Sequence, residues 1–176
     1  MTAPIPSNVG DGSSMVDCVL GMQAGRKTMI SDATFTGTAQ TIYDSLVGFE
    51  KAIKKTRTGA LSQLFEKMAE GRRKNHHSLE QALADFGLPP VNSTSMKSDL
   101  HRTWLDIAAF AESDDRAAIG RVIEGENYLA TQLERAIDEC GDEDEAILSL
   151  LMEIRQEVSA AGEELRRMTE KTQVNR

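Results

Sequence analysis

The sequence predicts an all-α fold: an antiparallel four-helix bundle carrying a flexible N-terminal tail. Three observations carry this. Apolar residues recur at steps of three and four along several separate stretches, the spacing that places them on one face of a helix. The composition is 40% hydrophobic but only 5% aromatic, which favours helices packed by aliphatic side chains over a β-rich fold. The breaks between the stretches are mostly short, and short turns make neighbouring helices antiparallel. No alternation of period two competes, and no repeat of solenoid length is present.

Residues 1–35 are rich in Pro, Gly, Ser and Thr and hold too few apolar residues for a core of their own. They are expected to form a tail, with the bundle occupying residues 36–172. The first helix is expected to start at Thr36 or Thr38, either of which can cap it. Its stripe is Ile42, Leu46, Phe49 and Ile53, with Glu50 beside it. Lys51, Lys54 and Lys55 suit the negative end of the helix dipole.

The second helix, about 60–86, has the stripe Leu61, Phe65, Met68, Arg72, His76, Leu79, Leu83 and Phe86. Its ends are apolar and its middle polar. Gly87 and Pro89-Pro90 end it. A third helical region is expected in two pieces, about 97–111 and 114–140, nearly collinear or kinked at the join, with Ser113 as a fresh N-cap. Leu100, Trp104, Ile107 and Ala111 form the stripe of the first piece, flanked by His101 and Arg102. Ile119, Val122, Glu126, Leu129, Leu133, Ala136 and Cys140 form that of the second. Gly141 closes it, and Asp142 with Glu145 resembles a capping box for the last helix, about 143–171. There Ile147, Leu150, Ile154, Val158, Ala161, Leu165 and Met168 line up, with Glu157 alongside.

Glu126 is the anomaly. It stands inside an apolar stripe, and a carboxylate facing a core must be paired, hydrogen-bonded, protonated or bound to metal. Arg72, in the middle of the second stripe, is a ready partner. His76 and its neighbour His77 point about 100° apart on a helix and cannot easily grip one ion together.

The formal net charge is -8, which argues against nucleic acid as a partner. The charge is divided. Lys51 to His77 holds eight Lys or Arg and two Glu, a net +6; Glu112 to Glu145 holds twelve acids and three Arg, a net -9. Attraction between helices or between subunits is the simplest use of that division, so a homo-oligomer is expected. Cys18 and Cys140 are far apart and form no zinc spacing. Free thiols, no apolar run long enough to cross a membrane and no signal-peptide pattern place the chain, as an expectation, in the cytoplasm.

A bundle of this size can hold two iron or manganese ions between Glu side chains and Glu-x-x-His pairs. No Glu-x-x-His occurs: Arg73, Lys74 and Ser98 stand three residues before the histidines. Glu50, Glu126 and Glu157 remain as a carboxylate-only candidate, opposed by Arg72 and Lys74. No phosphate-binding glycine loop, nucleophile elbow or zinc motif is present.

Leu100-His101-Arg102-x-Trp104, Ala118-Ile119, Gly125-Glu126 and the earlier Leu64-Phe65, Met68-Ala69-Glu70 and Arg72 resemble a family of bacterial ferritin-like four-helix bundles classed as a domain of unknown function. The resemblance covers about residues 36–170. It implies a ferritin-like fold and no established reaction. Where the broader ferritin pattern places Glu-x-x-His on the second helix, this chain has Gly71 and Lys74. The expectation is therefore a non-catalytic interaction or stress-associated protein without a cofactor. A metal-binding protein using iron or manganese on Glu50, Glu126 and Glu157 is the alternative. Arg72, His76, His101, Arg102 and Trp104 are structural or contact candidates.

Overall fold

A computed structural model of the chain describes residues 30–56, 59–94, 107, 114–141 and 144–174. Four long helices account for most of them: α1 Asp32–Lys55, α2 Gly59–Asp85, α3 Asp115–Cys140 and α4 Glu145–Val174. They form an all-α four-helix bundle. His101, Arg102 and Trp104, most of the 97–111 piece and residues 1–29 lie outside the described residues.

Each helix starts and stops for a local chemical reason. Ser31 caps α1, its Oγ accepting from the Thr34 amide at 3.2 Å, so the helix begins at Asp32 and not at Thr36 or Thr38. The Thr- and Gly-rich sequence here reads as tail, but Ile30 and Phe35 are 1% and 0% exposed and anchor the segment in the core. Past α2, Gly87 adopts φ +71°. There the Leu88 amide donates to the Leu83 carbonyl at 2.9 Å and the Gly87 amide to Ala84 at 3.0 Å, the paired bonds of a glycine-terminated helix end. Asp114, not Ser113, caps α3, accepting from the Arg116 and Ala117 amides at 2.9 and 3.1 Å. Gly141 ends α3 at φ +58°. Asp144 caps α4 through the Ile147 amide at 3.2 Å; Asp142 lies outside the described residues. An acceptor at this position satisfies an amide that the helix itself cannot.

α1 packs along α2, and α3 along α4, over most of their lengths; the α1/α3 and α2/α4 seams are thinner. The start of α1 lies against the end of α3, where Glu139 accepts from the Ser31 amide at 2.7 Å and from the Thr34 hydroxyl at 2.6 Å. Neighbouring helices are thus antiparallel, while α2 and α3 run parallel on a diagonal. The link from α2 to α3 must therefore travel the length of the bundle. It leaves α2 beside Val91, in the core around Phe35 and Leu133, with the Ser93 carbonyl accepting from Gln40 at 2.9 Å. It passes Ile107, helical and fully buried in the core at the other end. α3 begins at that end and runs from Asp115 toward the first core; the 97–111 side of the expected join lies outside the described residues apart from Ile107.

The interior has two apolar compartments. The first gathers Phe35, Ile42, Leu79, Leu133, Leu151 and Ile154, among others. The second gathers Phe49, Phe65, Val122, Ile107 and Leu165. Ring pairs brace both: Phe35 edge-on to Phe86 at 6.1 Å, and Phe49 tilted against Phe65 at 5.9 Å. Each fully buried aliphatic or aromatic side chain contributes about 1.5–3 kcal/mol relative to exposure.

Candidate functional site: a polar layer across the bundle

Every helix passes from one compartment to the other through a polar or small residue. On α1 it is Ser45, between Ile42 and Leu46; on α2, Arg72 and Asn75, between Ala69 and Leu79. On α3 it is Glu126, between Val122 and Leu129. On α4 it is Gly162, between Val158 and Leu165. Helical periodicity brings these positions inward, and the register of the four helices brings them to one level.

Their contacts make the layer. Glu126 is 2% exposed and Arg72 3%, and Arg72 Nη2 donates to Glu126 Oε2 across the diagonal. Arg72 Nε donates to Ser45 Oγ at 3.3 Å. A Cβ placed on Gly162 would stand 3.8 Å from the Glu126 Cβ, so α4 closes the layer with backbone. Burial pushes the Glu126 carboxyl above its ordinary value, and the Arg72 charge and hydrogen bond pull it part of the way back. Three polar groups keep unused bonding capacity. Glu126 Oε1 and Asn75 Nδ2 are buried without a hydrogen-bond partner. Arg72 uses Nε and Nη2, two of its three nitrogens.

A groove of about 350 Å³ along the α2/α4 seam reaches this layer. Leu64, Met68 and Gly71 line it from α2, Ala160 and Ala161 from α4, and Arg72 forms its floor. Nothing stands within 4 Å of a Cβ built on Gly71. Lys67, Arg167, Glu157 and Glu164 sit at the rim, and Lys67 is bonded to Glu164 at 2.8 Å.

The other residues singled out in the sequence have separate places. Glu50 is 44% exposed at its side chain and bonds Arg73 Nη2 at 3.2 Å. Glu157 is exposed on α4. Among the described residues no three His, Cys, Asp or Glu gather as a metal site. The surroundings of Glu126 do not fit the iron or manganese alternative, because a guanidinium bonds Oε2 and neither Glu50 nor Glu157 gathers with it. His76 Nε2 lies 2.9 Å from the Val91 carbonyl and donates to it, with its ring 4.9 Å from that of Tyr43. Glu80 accepts from the Val91 amide at 2.8 Å, so the two side chains pin the chain leaving α2. His77 meets Gln81 at 3.2 Å.

The charge division takes a definite form. α2, which carries much of the basic stretch, and the acidic α3 are diagonal. Apart from Arg72, the cations of α2 in ion pairs bond carboxylates of α1, α2 or α4: Lys67 with Glu164, and Arg73 with Glu50 and Glu70. No described helix is long and apolar enough to cross a membrane.

A family model, the domain of unknown function DUF2383, matches residues 34–139, from the first turn of α1 almost to the end of α3. No curated protein and no solved structure matches the chain.

Proposed function

The chain belongs to the DUF2383 family, and from that premise we propose that it is a ferritin-like bundle working by association and not by catalysis, its first partner being a second copy of itself. The ferritin-like assignment is supported by topology: two antiparallel hairpins joined by one connection that runs the length of the bundle. The association rests on one observation. The net +6 stretch Lys51–His77 runs from the end of α1 through the first two thirds of α2, and acidic α3 stands diagonal to α2, so the α2 part of that stretch is not α3's neighbour within one chain. A second copy brings the Lys51–His77 stretch of one chain against acidic α3 of the other and lowers their electrostatic energy. The protein thereby acts as a self-assembling interaction or stress-associated element, and it needs no metal to do so.

Sedimentation velocity at 20 and 500 mM salt tests this. The expected result is a dimer or larger assembly at low salt that dissociates at high salt, because exposed charge pairs are screened beyond about 10 Å at 0.1 M. A monomer at both salt concentrations would overturn the reading.

A further inference from the structure

We propose that the α2/α4 groove binds a small neutral amphiphile, with a carbonyl-type acceptor on Arg72 and an apolar body along Leu64, Met68 and the Ala160–Ala161 wall. This stands apart from self-association. The groove's volume, about 350 Å³, falls at the small end of ligand pockets, which are mostly apolar with a few placed polar groups. Gly71, Ala160 and Ala161 keep it open. Larger side chains at these three positions would close the seam, and Gly71 meets nothing there that requires a glycine.

The floor carries the specificity. Arg72 is 3% exposed yet lines the groove, and its Nη1 makes no hydrogen bond. Nη1 is not one of the sealed polar atoms without a partner, which among the described residues are Asn75 Nδ2 and Glu126 Oε1; it is reached from the groove, and an acceptor delivered there replaces water with a hydrogen bond to a charged donor. The head should be neutral because the charges are already balanced. Glu126 compensates Arg72, and two cations and two carboxylates share the rim. A net charge added beside a closed buried pair would be left uncompensated.

Titration calorimetry of the full chain with octanamide, octanoate and octylamine tests the proposal. Octanamide is expected to bind about tenfold more tightly than either charged analogue, the worth of one hydrogen bond to a charged donor. Gly71→Leu should abolish octanamide binding while its melting temperature holds or rises, since Leu is the better helix former. The double variant Arg72→Met/Glu126→Leu should bind all three heads alike. Equal binding of the three by the natural protein would mean a plain apolar trough, and tightest binding of octanoate would mean an anion site; either overturns the proposal. So would the absence of octanamide binding, or binding that survives Gly71→Leu unchanged.

Discussion

Leu129 and Glu126 are three residues apart on the same face of α3, yet the interiors they belong to hold by opposite rules. Around Leu129 and Leu133, stability comes from apolar area removed from water, and every neighbour adds to it. Around Glu126, stability depends on a match: the carboxylate is tolerable because Arg72 meets it. An apolar compartment degrades in proportion to what is removed. A charged pair fails when one member goes and can be relieved when both go.

The largest expected effects separate these rules. Glu126→Ala or Arg72→Ala should each cost about 3–5 kcal/mol, because the remaining charge is buried alone. The double variant Arg72→Met/Glu126→Leu should return the protein to its original stability or above it, since well-packed apolar replacements of buried ion pairs are often neutral or stabilising. Urea unfolding with an unchanged m-value is the measurement. If Glu126→Ala costs under about 1 kcal/mol, the guanidinium has found water and the layer is not sealed.

Leu133→Ala sharpens the contrast. Leu133 is fully buried, and its truncation should cost about 2–5 kcal/mol. Unlike the loss at the polar layer, this one should not be recovered by also truncating a neighbour: Leu133→Ala/Ile154→Ala should be worse than either single change. Recovery in that double variant would mean that strain, and not the lost area, governs the compartment.

Much of this was legible in the sequence, and what was not has physical reasons. Glu126 falls on the inner face of α3 by step counting alone, and Arg72 falls on the inner face of α2 the same way. Their contact needs the relative register of the two helices, which no single stripe contains. Asn75 is legible as part of the polar middle of the second helix, whereas Ser45 was passed over because a buried Ser leaves no mark on a helical stripe. The groove was invisible because it exists only where Gly71 of α2 faces Ala160 and Ala161 of α4. The start of α1 was misplaced because Ser31–Gly37 has a loop-like composition, and its cap and the burial of Phe35 outweigh that tendency.

The smallest expected effects come from pH, and they set two carboxylates of α3 against each other. Glu126 is raised above its ordinary 4.5 by burial, with Arg72 opposing. Its folded form therefore favours the proton: its contribution is fully present below 4.5 and is lost as pH rises through the raised value. Glu139, at the far end of the helix, is lowered by hydrogen bonds from Ser31 and Thr34. Its contribution is present above 4.5 and is lost as pH falls through the lowered value. Stability measured against pH for Glu126→Gln and Glu139→Gln should thus diverge from the parent in opposite senses. Glu126→Gln should gain on the parent as pH climbs from 4.5. Glu139→Gln should trail it at pH 7 and draw level in acid, by a small margin because this carboxylate is in water. Curves that slope the same way for both variants would show that Arg72 outweighs burial at Glu126.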